Sequence, residues 1–305
     1  MGPGRGETSG RGTRVVLGRA PVAREVRAAV PLARAVRAPL TASAPWLTTV
    51  LSVQSAHRRP RLLPAAVVVE PHRPGPPDAL ALLALATAGP VVTATVLGDG
   101  LPVPGGRPAA RLPARDDDAA ALLAAGLLGL LTSLRRPWRL RLAGLPLGDP
   151  TVRALGRMRP DAVVATARSR RLVDDLGTLP GRLVRSRDAR AVDAALPALL
   201  AGERDPRARD LVRAAARLHA AVGRLEVATV TDGGRLRAGL LTLLDGDPAG
   251  GERLPWWGWA PSGGLREEAG APLVGVAVAG RGRVVRAVAD RVVPLLPVSP
   301  RRARG

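Results

Sequence analysis

The aromatic residues of this chain are concentrated in one short segment. The sequence has no Phe and no Tyr, and three of its five Trp (Trp256, Trp257 and Trp259) lie in the stretch LPWWGWAPSGGL. Indole rings can line a ligand pocket, and they can equally fill a core. On a strand, Trp257 and Trp259 point to one face and Trp256 to the other. We therefore predict core packing for part of the cluster and keep all three as candidate substrate-pocket residues.

Few other residue types in the chain are suited to catalysis or metal binding. The absence of Cys excludes disulfides and thiolate chemistry, and the three His (His57, His72 and His219) are far apart in sequence. The triplet Asp116–Asp118 precedes an apolar run. Consecutive helical side chains point about 100° apart, so the triplet favours capping of a helix N-terminus over metal binding. We expect no metal and no tightly bound cofactor.

The charge of the chain is strongly positive and unevenly distributed. All 46 basic residues are Arg, Lys, Ile and Asn are absent, the net charge is +21 and the pI is about 11.9. This composition indicates a GC-rich bacterial genome, so codon bias accounts for part of the Arg excess. Residues 1–40 carry eight Arg against two acidic residues, and residues 281–305 carry seven against one. We interpret residues 1–40 as a basic, partly disordered arm and residues 297–305 as a basic tail, through which nucleic acid could bind.

Residues 41–178 are expected to form a first mixed α/β unit. The twenty uncharged residues 79–98 have Gly89-Pro90 at their centre, which favours a hairpin over a transmembrane helix. No signal peptide is apparent, and we expect a cytoplasmic protein without a transmembrane segment. Cap residues, first-turn Pro and apolar periodicity predict the following helices and strands. The helices are 44–55, 119–134 and one from Asp149-Pro150; the strands are 65–70, 80–86, 91–97, 138–142 and 162–167, and 97–108 is a loop. Residues 80–86 fit a short helix equally well.

Residues 181–296 are expected to form a second unit. Helices are predicted at 188–201 and from Asp205-Pro206 to 221. The alternating run LEVATVT, the turn Asp232–Gly234 and a second alternating run then predict a hairpin, and 254–259 is a plausible third strand. The predicted fold class is α+β, with two mixed α/β units, the second a helix followed by a three-stranded antiparallel meander.

The segment LVRAAARLHAAVGRLEVATVTDGGRLRAGLLTLLDGD, residues 211–247, is similar in rhythm to the second domain of Fem-type aminoacyltransferases. Helix, meander, Gly-rich turn and helix resemble the core of the GNAT acyltransferase fold, to which those proteins are related. The resemblance implies two GNAT-like halves, an acyl-CoA or aminoacyl donor and an amine acceptor. It covers the second half of the chain better than the first and includes no catalytic motif.

The resemblance also implies site residues. GNAT proteins hold the diphosphate of CoA on backbone N–H groups between a strand and a helix, where Gly permits close approach. The nearest match is Gly280, Arg281, Gly282 and Arg283, although the second small residue of the pattern is missing. A base is needed to deprotonate the amine. The candidates beside the meander are the carboxylates Glu226, Asp245, Glu267 and Glu268, of which Glu226 and Asp245 are preferred.

The orientation of Glu226 decides its suitability. If its strand face is buried, the pKa of this carboxyl should rise toward a useful value, and if the face is exposed the side chain is merely solvated. The leading hypothesis is an acyltransferase that transfers an acyl or aminoacyl group to an amine. The alternatives are a catalytically silent GNAT-like binding or scaffold protein and a basic nucleic-acid-binding protein.

Overall fold

The computed structural model describes residues 12–57, 61–246 and 251–280. Arg281, Gly282, Arg283 and the C-terminal tail lie outside the described residues, as do residues 1–11. The helices are α1 Arg19–Ala28, α2 Val30–Ala35, α3 Ala44–Ala56, α4 Asp117–Ser133, α5 Pro150–Met158, α6 Ala189–Leu200 and α7 Pro206–Ala221. The strands are β1 Thr13–Leu17, β2 Leu62–Val69, β3 Ala79–Ala88, β4 Val91–Val96, β5 Trp138–Pro146, β6 Val163–Asp174, β7 Arg182–Ser186, β8 Leu225–Asp232, β9 Arg235–Asp245, β10 Glu252–Trp259 and β11 Leu265–Ala279.

These elements form two sheets. The first has seven strands in the order β1-β2-β3-β4-β5-β11-β6, and the second has four in the order β10-β9-β8-β7. All neighbouring strands are antiparallel except β4 and β5. The predicted mixed α/β architecture is confirmed, and so is the second-unit helix followed by a three-stranded antiparallel meander, α7-β8-β9-β10.

Local sequence signals account for the helix starts. The Asp116 carboxylate accepts a hydrogen bond from the Ala119 backbone N–H at 2.7 Å, and Asp149 accepts from Thr151 and Val152. Asp188 and Asp205 cap α6 and α7 in the same way. Each cap satisfies a backbone donor that the first helical turn leaves unpaired. The capping interpretation of Asp116–Asp118 is therefore confirmed for Asp116.

The described part of the predicted basic arm, residues 12–40, packs onto the first sheet. β1 pairs with β2 along its whole length, from Thr13 opposite Val69 to Leu17 opposite Ala65. In α1, Val22 and Val26 are buried, and Glu25 forms a two-pronged ion pair with Arg14 at 2.7–2.8 Å. The short β1 is stabilised by a partner strand more than 40 residues further along the chain, which local charge counting does not detect.

The two units share one core, and one strand of the second unit lies in the first sheet. α3 packs between the first sheet and α7, and one apolar cluster joins Val22 of α1, Trp46 of α3, Leu211 of α7 and Trp256 of β10. The predicted second unit, 181–296, is corrected at β11, which lies between β5 and β6 in the first sheet. Among the described residues no helix combines the length and apolarity needed to cross a membrane.

Candidate functional site

A cavity of about 130 Å³ lies where the parallel strands β4 and β5 separate. β4 pairs with β5 from Val92 opposite Trp138 to Thr95 opposite Arg141. β4 then ends at Val96 and the chain turns away, whereas β5 continues to Pro146. Carboxyl ends of parallel strands that part in this way leave a crevice, which is the usual ligand position in open α/β sheets. The walls come from both sheets and from the start of α3.

The segment 97–110 covers the cavity. Gly106 donates its N–H to Arg170 O at 3.1 Å and accepts from Ala271 N at 2.9 Å, while Ala110 N donates to Gly144 O at 3.1 Å. A Cβ on Gly105 would collide with the backbone oxygen of Arg170. The loop predicted at 97–108 is therefore held on β5, β6 and β11 by backbone hydrogen bonds, and its Gly residues permit this close approach.

Trp256 is the member of the Trp cluster that reaches the cavity. Its ring meets Trp46 edge-on with centroids 5.3 Å apart, both rings line the cavity, and its Nε1 donates to Pro102 O at 3.3 Å. Trp257 instead donates to Leu199 O at 3.3 Å and packs against α6. Trp259 is half-buried beside the same core. Of the three candidate substrate-pocket residues, Trp256 lines the cavity together with Trp46, and Trp257 and Trp259 do not.

A β-bulge explains this correction. The register between β10 and β9 shifts between Pro255 and Trp257, so Trp256 is an extra residue on its strand. A bulge breaks simple alternation and redirects the side chain that it carries. Trp256 therefore faces the same core as Trp257, whereas strict alternation places it on the opposite face.

Paired charges surround the mouth of the cavity. Asp99 accepts from Arg141 Nη2 at 2.6 Å, and Glu267 from Arg170 Nη1 at 3.1 Å. Arg107 lies on the wall and pairs with Asp245 at 3.2 Å and with Glu252. Asp245 is thus a partner of a wall residue rather than a wall residue itself, and no His lines the cavity among the described residues.

Glu226 is an ion-paired structural carboxylate. It lies on the face of β8 opposite the helices, away from the cavity walls, with only 7% of its side chain exposed. Arg253 holds it at 2.7 and 2.9 Å, and Arg185 approaches to 3.3 Å. These contacts, led by the hydrogen bonds from Arg253, lower the pKa of the carboxyl despite its burial. The expectation that burial raises this pKa is therefore wrong, because it omitted the arginines.

We expect Glu226→Gln to lower the free energy of unfolding at pH 7 by about 1–2 kcal/mol, because three guanidinium groups lose their shared anion. The figure stays modest since Arg185, Arg253 and Arg187 are 33%, 42% and 47% exposed. The folded pKa is lowered, so this stabilisation is present above the unfolded pKa of about 4.3 and is lost as the pH falls through the folded value. Urea unfolding at pH 7 and pH 3 measures it.

Glu267→Gln, which breaks an exposed pair with Arg170, is the matched control and should change stability by less than about 0.5 kcal/mol. An equal loss in both variants at pH 7, or a Glu226→Gln loss that persists at pH 3, would contradict the assignment of Glu226.

Gly280, the one described residue of the predicted diphosphate cradle, does not line the cavity. Gly280 donates its N–H to Trp138 O at 2.8 Å, at the start of β5, whereas the cavity touches Ala143 and Gly144 near its end. Six residues of strand separate the two places by roughly 20 Å. The N-terminus of α4, which follows β4, carries Asp116, Asp117 and Asp118, and these carboxylates oppose the binding of a further anion there.

The remaining candidates have structural roles. Glu268 is ion-paired with Arg171 and Arg266, and these contacts lower the pKa of its carboxyl. His219 is buried in the shared core beside Trp46, with ring centroids 6.1 Å apart. No group of three or more metal-binding side chains occurs in the described ranges.

Sequence reasoning missed several wall residues. Thr41 lies in a one-turn 3₁₀ helix before α3, Ser169 in β6 donates to Ala271 O at 3.1 Å, and Arg107 lies in the covering segment. None carries a local motif. The Gly-rich stretch 97–108 is the one sequence signal in this region, and it was predicted only as a loop.

No protein-family model and no curated protein matches the chain. Among solved structures, it is similar to a tandem GNAT protein from the clavulanic acid biosynthesis pathway, with 16% identity, 89% of this chain and 100% of that one covered, and a TM-score of 0.41. A putative acetyltransferase from Pyrococcus horikoshii has 7% identity and a TM-score of 0.38, with 92% of this chain and 93% of that one covered. A probable N-acyltransferase from Enterococcus faecalis V583 has 9% identity and a TM-score of 0.35, with 86% of this chain and 72% of that one covered. Likeness of this strength does not identify a family.

Proposed function

We propose that this protein binds an acylated small molecule in the cavity between β4 and β5 and acts as a GNAT-like acyltransferase toward an amine. The observation that carries the proposal is the separation of the parallel pair beyond Thr95 and Arg141, which leaves an apolar cavity at the carboxyl ends of both strands. The helix-then-meander order of the second unit supports the same architecture. That order is analogy of fold, so the site carries the functional proposal.

The reaction requires little from the protein beyond positioning. The amine nitrogen attacks the carbonyl carbon of an acyl thioester, a C–N bond forms, the C–S bond breaks, and the thiolate takes the proton that the amine releases. The carboxylates around the cavity (Asp99, Asp245 and Glu267) are ion-paired, so the acceptor amine must arrive neutral. Holding both reactants in one cavity then supplies the rate enhancement.

The described residues fit the acyl part of a CoA thioester and not its diphosphate. The cavity wall is apolar near Trp46, Trp256 and Leu273, whereas the N-terminus of α4 presents carboxylates to any anion. We assign no residue to the diphosphate. A short acyl thioester without a nucleotide, such as an acyl-pantetheine, is therefore the ligand that tests the cavity by itself.

A catalytically silent binding protein is the second candidate. The ion pairing of Asp99, Asp245 and Glu267 favours it, because none of these carboxylates is free to act as a base. The two candidates predict the same binding and differ only in turnover with an amine acceptor.

Titration with acetyl-CoA and acetyl-pantetheine is expected to change the Trp fluorescence saturably, and the change should persist at 0.5 M salt. Trp46 and Trp256 line the cavity, and no Tyr contributes emission. Trp256→Phe should remove much of the response, whereas Trp259→Phe, whose ring does not line the cavity, should retain it. Product formation with a panel of primary amines then separates a transferase from a silent binder.

Binding of acetyl-CoA that disappears at 0.5 M salt, with no response to acetyl-pantetheine, would reject the cavity and indicate Arg–phosphate attraction alone. That pattern favours the nucleic-acid alternative. Deletion of residues 281–305 should then abolish the residual binding.

A further inference from the structure

A second, inner cavity of about 50 Å³ adjoins the first. It lies under α1 and α2, against the face of the first sheet that carries Leu80 and Leu82. Its walls on the helix side are Val26, Ala29 and Ala33. Apart from Arg111 and Thr41, every residue that lines it is apolar, so it suits hydrocarbon and not water.

The two cavities meet at a shared boundary. Five residues line both of them: Thr41, Val96, Leu97, Ala109 and Ala110. They come from the turn before α3, the end of β4 and the covering segment. The inner cavity therefore adjoins the outer one along this boundary and lies beneath α1 and α2.

Thr41 gives the boundary its one unpaired polar group. Thr41 is 7% exposed, and its Oγ1 is buried with no hydrogen-bond partner among the described residues. Buried hydroxyls are nearly always paired, and an exception calls for a partner that is missing from the protein itself. A hydroxyl at the entrance of an apolar channel can donate to a carbonyl oxygen that lies beside it.

We propose that the acyl group bound here is an unbranched chain of about six carbons, whose tail fills the inner cavity and whose carbonyl oxygen accepts a hydrogen bond from Thr41. This inference rests on the proposed function and specifies its substrate class. A water-sized group needs about 10–15 Å³ by this measure of volume, so the inner cavity holds about three to five methylene or methyl groups. With the carbonyl carbon at Thr41, that number corresponds to acyl chains from butanoyl to hexanoyl, of which hexanoyl fills the cavity.

The chain length sets a measurable preference. Each buried methylene contributes a factor of about four in affinity. Hexanoyl has four more carbons than acetyl, so full burial predicts tighter binding on the order of 100-fold. The gain should stop at hexanoyl, because a decanoyl chain exceeds the inner cavity.

Calorimetric titration of the full-length protein with acetyl-, butyryl-, hexanoyl- and decanoyl-CoA tests the chain length. We expect affinity to rise to hexanoyl and not beyond. Hexanoyl-pantetheine and sodium hexanoate are titrated in parallel. Both have the same alkyl chain as hexanoyl-CoA, but the first is a thioester without a nucleotide and the second is a free acid. Binding of the hexanoate alone would identify a fatty-acid site and overturn the acyl-donor assignment.

Ala33→Leu fills the inner cavity from α2, a helix that tolerates Leu. The hexanoyl preference should fall from about 100-fold to below about 10-fold, while acetyl-CoA affinity stays unchanged. The matched control is Ala35→Leu, on the exposed side of the same helix and lining neither cavity. An unchanged hexanoyl preference in Ala33→Leu would overturn the assignment of the inner cavity.

Thr41→Val tests the carbonyl contact. We expect acyl affinity to fall by about 5–10-fold, the equivalent of one hydrogen bond, and the midpoint of thermal unfolding to stay the same or rise. Thr41→Ser should restore binding. Unchanged affinity in Thr41→Val would overturn the contact.

Equal binding of acetyl- and hexanoyl-CoA by the wild type rejects this inference alone, whereas binding of neither rejects the proposed function as well.

Discussion

Acidification from pH 7 to pH 4 is expected to reduce the free energy of unfolding by about 3 kcal/mol more in the wild type than in His219→Leu. The imidazole of His219 is 3% exposed, and neither ring nitrogen has a hydrogen-bond partner among the described residues. Burial, assisted by the positive charge of Arg224, lowers its pKa to about 4. Below about pH 6.5 the imidazole is protonated in the unfolded chain and stays neutral in the folded chain. The free energy of unfolding therefore falls until the pH reaches the folded pKa.

Urea unfolding followed by Trp fluorescence at half-unit steps between pH 7 and pH 4 measures this difference. His219→Leu keeps an apolar side chain of similar bulk in the shared core, and at pH 7 it should be at least as stable as the wild type, because it removes two unpaired polar atoms. His72→Leu, at an exposed site, is the control and should keep the wild-type pH dependence. A parallel pH profile for wild type and His219→Leu would refute the assignment.

Trp256→Ala is expected to lower the free energy of unfolding by about 3–5 kcal/mol. Trp256 is 2% exposed and packs edge-on against Trp46. Its Nε1–H bonds to Pro102 O, 154 residues away in sequence. Truncation would remove this hydrogen bond between β10 and the covering segment and enlarge the cavity. Binding of acyl ligands should therefore be lost as well.

Two companion variants separate the causes. Trp256→Phe keeps most of the ring and loses the hydrogen bond, so it should cost about 1–2 kcal/mol. Trp259→Ala removes a half-buried ring at the end of the same strand and should cost less than Trp256→Ala. Comparable losses at positions 256 and 259, measured by urea unfolding at pH 7, would contradict the central position assigned to Trp256.

Much of the local structure was predictable because its causes are local. Asp116, Asp149 and Asp205 cap helices within three residues of themselves, and Pro150 and Pro206 stand in first turns. The turn between β8 and β9 needs backbone angles that Gly233 and Gly234 adopt, with φ of 56° and 79°. Such signals require no knowledge of the rest of the chain.

The features that the sequence analysis missed depend on strand pairing between residues far apart in the chain. β1 was hidden in a basic segment because its stability comes from β2. β11 was assigned to the second unit because it follows β10, yet it pairs with β5 and β6. The bulge at Trp256 follows from the fit of β10 against β9, which a rule of strict alternation does not include.

The sequence by itself determined the helix starts capped by Asp, the β8–β9 hairpin and the helix-then-meander order of the second unit, because caps, turns and periodicity act over a few residues. Only the tertiary structure decided the site. It brought Thr41, Leu97, Ser169 and Trp256 to one cavity from four distant parts of the chain. It also placed Arg253 on Glu226, which reversed the expected direction of the carboxyl pKa. Burial and charge partners depend on contacts between distant residues, and those contacts exist only in the folded chain.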